Sequence, residues 1–197
     1  MGRVFCIIGK SSSGKDTIYK KLLRNSSLSL RRIVLYTTRP IRAGERQGVE
    51  YYFTTTKNME ALQEEGRIIE SRSYDTVCGI WHYFMVKDDQ IDLARFDYLI
   101  IGTLESYIMI RDYFGQDKVV PIYIDLEDGE RLTRALRREK NQSKPKYEEM
   151  CRRFLADTRD FSDENLEQAG IMKSFLNNDL KSCLAEIVAY IVSFQGA

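Results

Sequence analysis

Gly9-Lys10-Ser11-Ser12-Ser13-Gly14-Lys15-Asp16-Thr17 lies between two segments of opposite character. Before it, Arg3-Val4-Phe5-Cys6-Ile7-Ile8 is a short apolar run with β-branched residues, which predicts a buried strand. After it, Ile18, Leu22 and Leu23 recur at helical spacing. Strand, Gly-rich turn and helix form the setting in which G-x-x-x-x-G-K binds phosphate. Small residues let successive backbone N–H groups converge, and the helix N-terminus adds partial positive charge. Lys15 is then the group that reaches the terminal phosphates of a nucleotide.

One position departs from that pattern. The residue after the lysine is ordinarily Ser or Thr, whose hydroxyl ligates Mg²⁺; here it is Asp16, with Thr17 next. A carboxylate is a hard oxygen ligand suited to Mg²⁺. It also complements the dipole at a helix start without any metal. The spacing leaves both roles open for Asp16 and leaves Thr17 as an alternative hydroxyl.

Working outward, 197 residues suit one domain with small inserts, and 43% hydrophobic content supports a full core. With 30 basic and 29 acidic residues there is no global field to attract nucleic acid or a membrane surface. Anionic ligands must be held by local basic groups. Cys6, Cys78, Cys151 and Cys183 form no C-x-x-C pair, and Cys6 falls in the first predicted strand, so a reduced, cytoplasmic setting is expected. No run approaches the length of a bilayer span. The apolar start is too short for a secretory leader, and Cys6 stands where a myristoylation motif requires Ser or Thr. With His82 the single histidine, multi-histidine metal sites are excluded.

Further along, Arg32–Thr37 predicts a second strand, ending at Arg39-Pro40. A Gly-punctuated basic loop runs to Gly48, followed by a strand-like Val49–Thr54, a helix near Lys57–Glu65, and short strands near Arg67–Arg72 and Trp81–Val86. This region lacks long helices and reads as an inserted subdomain. Alternation then resumes: strand Tyr98–Ile101, helix Leu104–Phe114, strand Val119–Ile124, helices Glu127–Arg138 and Lys146–Asp160, strand Ile171–Leu176, helix Leu180–Phe194. Pro121 places the Val119 strand at an edge or a bulge. Strands alternating with helices after a phosphate loop imply a parallel sheet covered on both faces, with ligands at the carboxyl ends of its strands.

Two more groups of residues suit anions. Arg39 and Arg42 lie three apart on a Gly/Pro-shaped loop, with Tyr51 shortly after: guanidinium forks plus a phenolic donor. Arg131, Arg134, Arg137 and Arg138 crowd one predicted helix, with Arg152 and Arg153 on the next. On spacing alone these are equally a lid over polyphosphate or a salt-bridged surface, since Glu130, Glu139, Glu148 and Glu149 are at hand.

With T-T-R-x-x-R-x-G-E at Thr37–Glu45 and G-x-x-Y-x-F at Gly48–Phe53 added to the phosphate loop, the chain resembles the guanylate kinases over nearly its whole length. The resemblance implies a P-loop α/β core with a parallel sheet flanked by helices (about 1–36 and 97–197), an acceptor-binding insert (about 37–87) and a lid (about 138–152). It implies Mg²⁺- and ATP-dependent phosphoryl transfer to GMP, giving GDP and ADP, with no nucleic-acid or membrane partner. Gly9, Lys10, Ser11, Ser12, Ser13, Gly14, Lys15, Asp16 and Thr17 would hold ATP, with Asp16 and Thr17 at the metal. Arg138 and Arg153 match lid arginines that, with Lys15, serve catalysis. Asn177 matches a turn beside the adenine. Arg39, Arg42 and Tyr51 match the grip on the GMP phosphate, and Glu70 matches a nucleoside-reading glutamate.

The sequence also departs from the family. Aligned with Y-Y-G-[ST] it has Trp81-His82-Tyr83-Phe84, which puts His82 at a phosphate-binding tyrosine and Phe84 at a guanine-reading hydroxyl. Thr103 stands where a guanine-reading aspartate is expected. The phosphate grip is intact while the base-reading set is altered. That split leaves two other readings in view: a kinase of this fold with another phosphorylated acceptor, such as a ribose bisphosphate, and a binding module without catalysis.

Overall fold

Every residue of β1 (Val4–Ile8) is buried, as expected of a strand with neighbours on both edges and helices on both faces. The structure, a computed structural model, describes residues 1–76 and 79–195, so Cys78 lies outside the described residues. β1 belongs to a five-stranded parallel sheet with β2 (Arg31–Arg32), β7 (Tyr98–Ile101), β8 (Val119–Asp125) and β9 (Ser174–Leu176), in the order β2-β7-β1-β8-β9. Strand alternation sends Phe5 and Ile7 towards α1 (Lys15–Leu23) and α7 (Leu180–Gln195), where they meet Ile18, Leu22, Ile187 and Ile191. Val4, Cys6 and Ile8 face the other way, onto Leu104, Tyr107 and Ile110 of α3 (Leu104–Phe114). Burial pushes the Cys6 thiol up to about 12, so it serves as a core residue.

A second, four-stranded sheet is built from β3 (Tyr36–Thr37), β4 (Tyr52–Phe53), β5 (Ile68–Thr76) and β6 (Gly79–Val86), in the order β4-β3-β6-β5. Its own small core joins Phe84 and Val86 to Met59 and Leu62 of α2 (Thr56–Glu64). Beyond β8, α4 (Asp128–Lys140) and α5 (Tyr147–Asp160) form a helical arm joined by residues 141–146, and none of the residues of α5 is fully buried.

Three expectations are corrected. The single strand predicted at Arg32–Thr37 is two strands in different sheets. Between them the Gln90 side chain takes the place of a partner strand, accepting from the Val34 N–H at 2.7 Å and donating to its carbonyl at 3.1 Å. β8 is a central strand despite Pro121. Lys118 accepts from Val4 on the β1 side and Asp125 accepts from Asn177 on the β9 side. Alternation therefore turns the missing N–H of Pro121 towards β9, whose pairing begins only at Tyr123, so no ladder bond is lost. Finally, the segment predicted as strand Ile171–Leu176 is strand only over β9, and a short helix, α6 (Asp163–Gln168), precedes it behind a Ser162 cap.

These packing roles predict unequal responses to truncation. In urea unfolding, Ile122→Ala should cost about 2–5 kcal/mol, as a fully buried residue of the central sheet. Pro121→Ala should cost about 1 kcal/mol or less, through the unfolded chain alone. A Pro121→Ala loss as large as that of Ile122→Ala would contradict the open β9 side.

Candidate active site

The loop after β1 is shaped by two left-handed residues, Ser12 (φ 66°) and Gly14 (φ 93°). Gly14 is the N-cap of α1 and offers no side-chain cap, so the first-turn amides of α1 are left for a ligand. A Cβ at Gly14 would overlap the Asn177 side-chain amide. That amide is buried and donates to the Ser13 carbonyl at 2.7 Å, so Asn177 braces the loop from behind. Lys15 folds back over the loop, its Nζ 3.3 Å from the Lys10 carbonyl. Burial lowers its pKa, and the charges of Asp16, Asp157, Arg153 and Arg138 all reach it.

A network absent from the sequence reading ties the helical arm to this loop. The Ser11 N–H donates to Asp157 of α5 at 2.8 Å, and the Ser11 carbonyl accepts from Arg131 of α4 at 3.2 Å. Arg131 is almost wholly buried, with Asp128 at 2.9 Å, Asp157 at 3.6 Å and the Phe154 ring 4.5 Å away. Lys10 also pairs with Asp128, at 3.3 Å. A buried guanidinium among carboxylates is legible only once α4 and α5 are folded onto the loop.

A cavity of about 440 Å³ opens between the loop and the arm. Ser11 and Ser12 line one side, Arg138 and Arg153 another, and Arg42 of the second sheet's loop a third. Arg153 Nη2 lies 3.3 Å from the Ser11 hydroxyl. The neighbouring arginines are engaged elsewhere: Arg134 pairs with Glu130 at 2.9 Å and Arg152 with Glu149 at 2.7 Å. Arg134 and Arg152 are thus salt-bridged, while Arg138 and Arg153 line the cavity. A second cavity of the same volume lies beside Lys10 and Tyr123. Asp125, Asp163 and Glu167 line it, which disfavours a phosphate there.

The residues expected at the acceptor phosphate, Arg39 and Tyr51, lie beside strands of the second sheet. Arg39 is buried and held by both oxygens of Glu45, at 2.9 and 2.8 Å. Its guanidinium lies 5.4 Å from the rings of Tyr51 and Phe53. The hydrogen bonds from Arg39, and then from the Arg42 N–H, hold the Glu45 carboxyl down at about 2. Tyr51 packs edge-on against Tyr83, ring centres 5.5 Å apart. His82 lies on the opposite face of β6 from Tyr83, its Nδ1 2.8 Å from the Ser73 hydroxyl. The structure thus brings Tyr83, not His82, to Arg39 and Tyr51. Alternation from the core residue Phe84 was the signal available for this. Phe84 is fully buried behind Tyr36. Thr103 caps α3, its hydroxyl accepting from the Ser106 N–H at 3.2 Å. Glu70 is buried beside Arg72, and burial raises its pKa against the opposing pull of Arg72 and then Ser106.

Comparison with known proteins agrees with this geometry. The guanylate kinase family model matches residues 1–79. A guanylate kinase of Granulibacter bethesdensis is 39% identical over 83 residues, 40% of this chain and 38% of that protein. One from Neisseria meningitidis serogroup B is 39% identical over 114 residues, 56% of this chain and 53% of that protein. Over these residues the chain is similar to the guanylate kinases. The matches span about half the length or less of those sequence relatives. The crystal structure of guanylate kinase from Anaplasma phagocytophilum superposes with a TM-score of 0.66 at 19% identity. That alignment covers 98% of this chain and 85% of the other, so the fold is shared well beyond the matched sequence.

A guanylate kinase fold calls for Mg²⁺, and the residues present fit it. Asp16 and Thr17 stand exposed on the first turn of α1, and the Asp16 charge reaches Lys15. Among the described residues no three His, Cys, Asp or Glu side chains gather into a metal cage. One carboxylate and one hydroxyl suit a small hard cation that keeps its waters and takes phosphate oxygens.

The Asp157 tie is open to test. Asp157→Ala strips one anion from a buried cation and the acceptor from an N–H, and should lower unfolding free energy by about 1–3 kcal/mol in urea. In an Arg131→Met background the same change should cost clearly less. Equal losses in both backgrounds would show that the two residues are not coupled.

Proposed function

We propose that the chain transfers the terminal phosphoryl group of ATP to GMP, giving ADP and GDP. The observation that carries this reading is the single cavity lined by the loop serines, Arg138, Arg153 and Arg42. A donor-phosphate loop, two closing cations and an acceptor cation around one space is what in-line transfer between two anions requires. Such transfer passes through a loose transition state, so positioning and charge neutralisation are the main work of the protein. Lys15 and the α1 amides would hold the donor phosphates. Arg39, Arg42 and Tyr51, with Tyr83 behind them, would fix the acceptor phosphate. Asp16 or Thr17 would hold Mg²⁺, which supplies charge neutralisation between the donor phosphates.

In this reading the second sheet, Tyr36–Val86, is the acceptor-binding unit. The arm formed by α4 and α5 is the lid, and the loop 141–146 is its tip. Among the described residues no helix is long and apolar enough to cross a membrane, and we assign the reaction on soluble nucleotides to the cytoplasm.

A coupled assay of ADP production, with ATP, Mg²⁺ and a panel of monophosphates, tests the reading directly. GMP should be turned over in preference to AMP. Lys15→Ala should lower kcat by about 10²–10³ while leaving the urea midpoint near that of the parent. A folded Lys15→Ala protein with nearly full turnover would remove the donor-site assignment. Glu70→Gln should keep phosphate binding and cut the GMP-to-AMP ratio about tenfold, because a carboxylate accepts from both guanine N–H groups. An unchanged ratio would leave Glu70 without a role at the base.

A further inference from the structure

Arg72 has no part in the phosphate grip, yet it stands on the same sheet face as Tyr83. β5 and β6 pair antiparallel, with Arg72 opposite Tyr83 and Glu70 opposite Met85, so Glu70, Arg72 and Tyr83 share one face. That is the face on which Tyr83 meets Tyr51, and the Arg72 charge reaches Tyr51. Arg72 Nε lies 3.3 Å from Glu70 Oε2, and Arg72 Nη2 donates to Glu70 Oε1 at 3.4 Å. Both contacts are long. Glu70 Oε2 and Arg72 Nε are buried, and neither has a hydrogen-bond partner among the described residues. Two buried polar atoms of opposite kind, only loosely engaged with each other, have capacity left for a ligand that completes both.

We infer that Arg72 is a specificity-determining residue that, together with Glu70, reads the O6/N1 edge of guanine. This rests on the GMP reading above. The pair presents an N–H donor next to a carboxylate acceptor. Guanine offers the complement, O6 as acceptor beside N1–H and N2–H₂ as donors. Adenine offers the reverse, an N6–H₂ donor beside an N1 acceptor, so it sets donor against donor and acceptor against acceptor. Arg72 thereby takes over the oxygen-reading task at a site where Phe84 is buried away from the cleft and the Thr103 hydroxyl is engaged as a helix cap. The same guanidinium opposes the rise that burial imposes on the Glu70 carboxyl.

The test measures GMP, 6-thio-GMP, IMP and AMP by turnover and by calorimetric binding, in the parent and in Arg72→Met. Sulfur at position 6 is a weaker acceptor, while N1–H and N2–H₂ remain. The parent should therefore prefer GMP to 6-thio-GMP several-fold or more. IMP keeps O6 and N1–H and should stay well ahead of AMP. In Arg72→Met the KM and Kd for GMP should rise about tenfold with kcat little changed, and the GMP-to-6-thio-GMP ratio should collapse towards one. A purely structural role would weaken both nucleotides equally and keep the ratio, which overturns the inference. A parent that turns over GMP without distinguishing 6-thio-GMP overturns it too, while leaving the proposed reaction in place. A parent that binds GMP with the 6-thio preference but does not turn it over supports the inference and refutes the reaction. A parent that neither binds nor turns over GMP refutes both. If Arg72→Met fails to fold, Arg72→Lys keeps the charge beside Glu70 but loses the fork, and should lower the ratio in the same direction; a ratio unchanged there overturns the inference.

Discussion

The phosphate loop has to hold a shape its own residues do not favour. Ser12 adopts a left-handed conformation that costs a non-glycine residue roughly 1 kcal/mol or more, and α1 begins with no side-chain cap. Such a loop persists only where its surroundings over-determine it. Asn177 braces the Ser13 carbonyl, Asp157 takes the Ser11 N–H and Arg131 takes the Ser11 carbonyl. Contacts from β9's turn, α4 and α5 thus converge on Ser11 and Ser13, the residues on either side of Ser12. The parallel sheet matters to function because it delivers all of these to one edge.

The arginines of the chain divide into two groups by their partners. Arg131, Arg134 and Arg152 each face a carboxylate and hold structure, and Glu45 fixes the orientation of Arg39. Arg42, Arg138 and Arg153 point exposed guanidinium groups into a shared cavity beside the loop serines. A neutral chain can concentrate positive potential in this way without a basic surface, because the paired cations cancel locally and the others add up at one place. Helix α5 buries none of its residues fully, and polar ties from Asp157 help attach it to the loop and to α4.

The pair of Glu70 and Arg72 follows a different logic. Glu70 and Arg72 are both withdrawn from solvent, where an unpaired charge is expensive and a loosely paired one is only partly compensated. Their imperfect contact leaves hydrogen-bonding capacity in a closed place. A site of this kind discriminates by rejecting ligands that leave its polar groups unmatched.

The phosphate loop, the α/β alternation, the helix Leu104–Phe114 and the arginines at 39 and 42 were legible in the sequence, because each rests on local spacing or on a contiguous motif. Glu70 was legible by the same route, and Arg72 stands only two residues further on the same face. What the sequence could not supply was register and proximity. His82 and Tyr83 are neighbours in the chain, and only the pairing of β6 decides that Tyr83 faces Arg39 while His82 faces Ser73. Pro121 argues for an edge strand until the direction of its missing N–H is known. Likewise, Arg131 meets Asp157 and the Ser11 carbonyl only once α4 and α5 fold onto the loop, and the bond from the Ser11 N–H to Asp157 spans 146 residues. By itself the sequence determined a phosphate-loop motif on a parallel-sheet scaffold, since that motif is written in consecutive residues. The tertiary structure decided which side chains meet there, since contact between distant residues is set by packing and register.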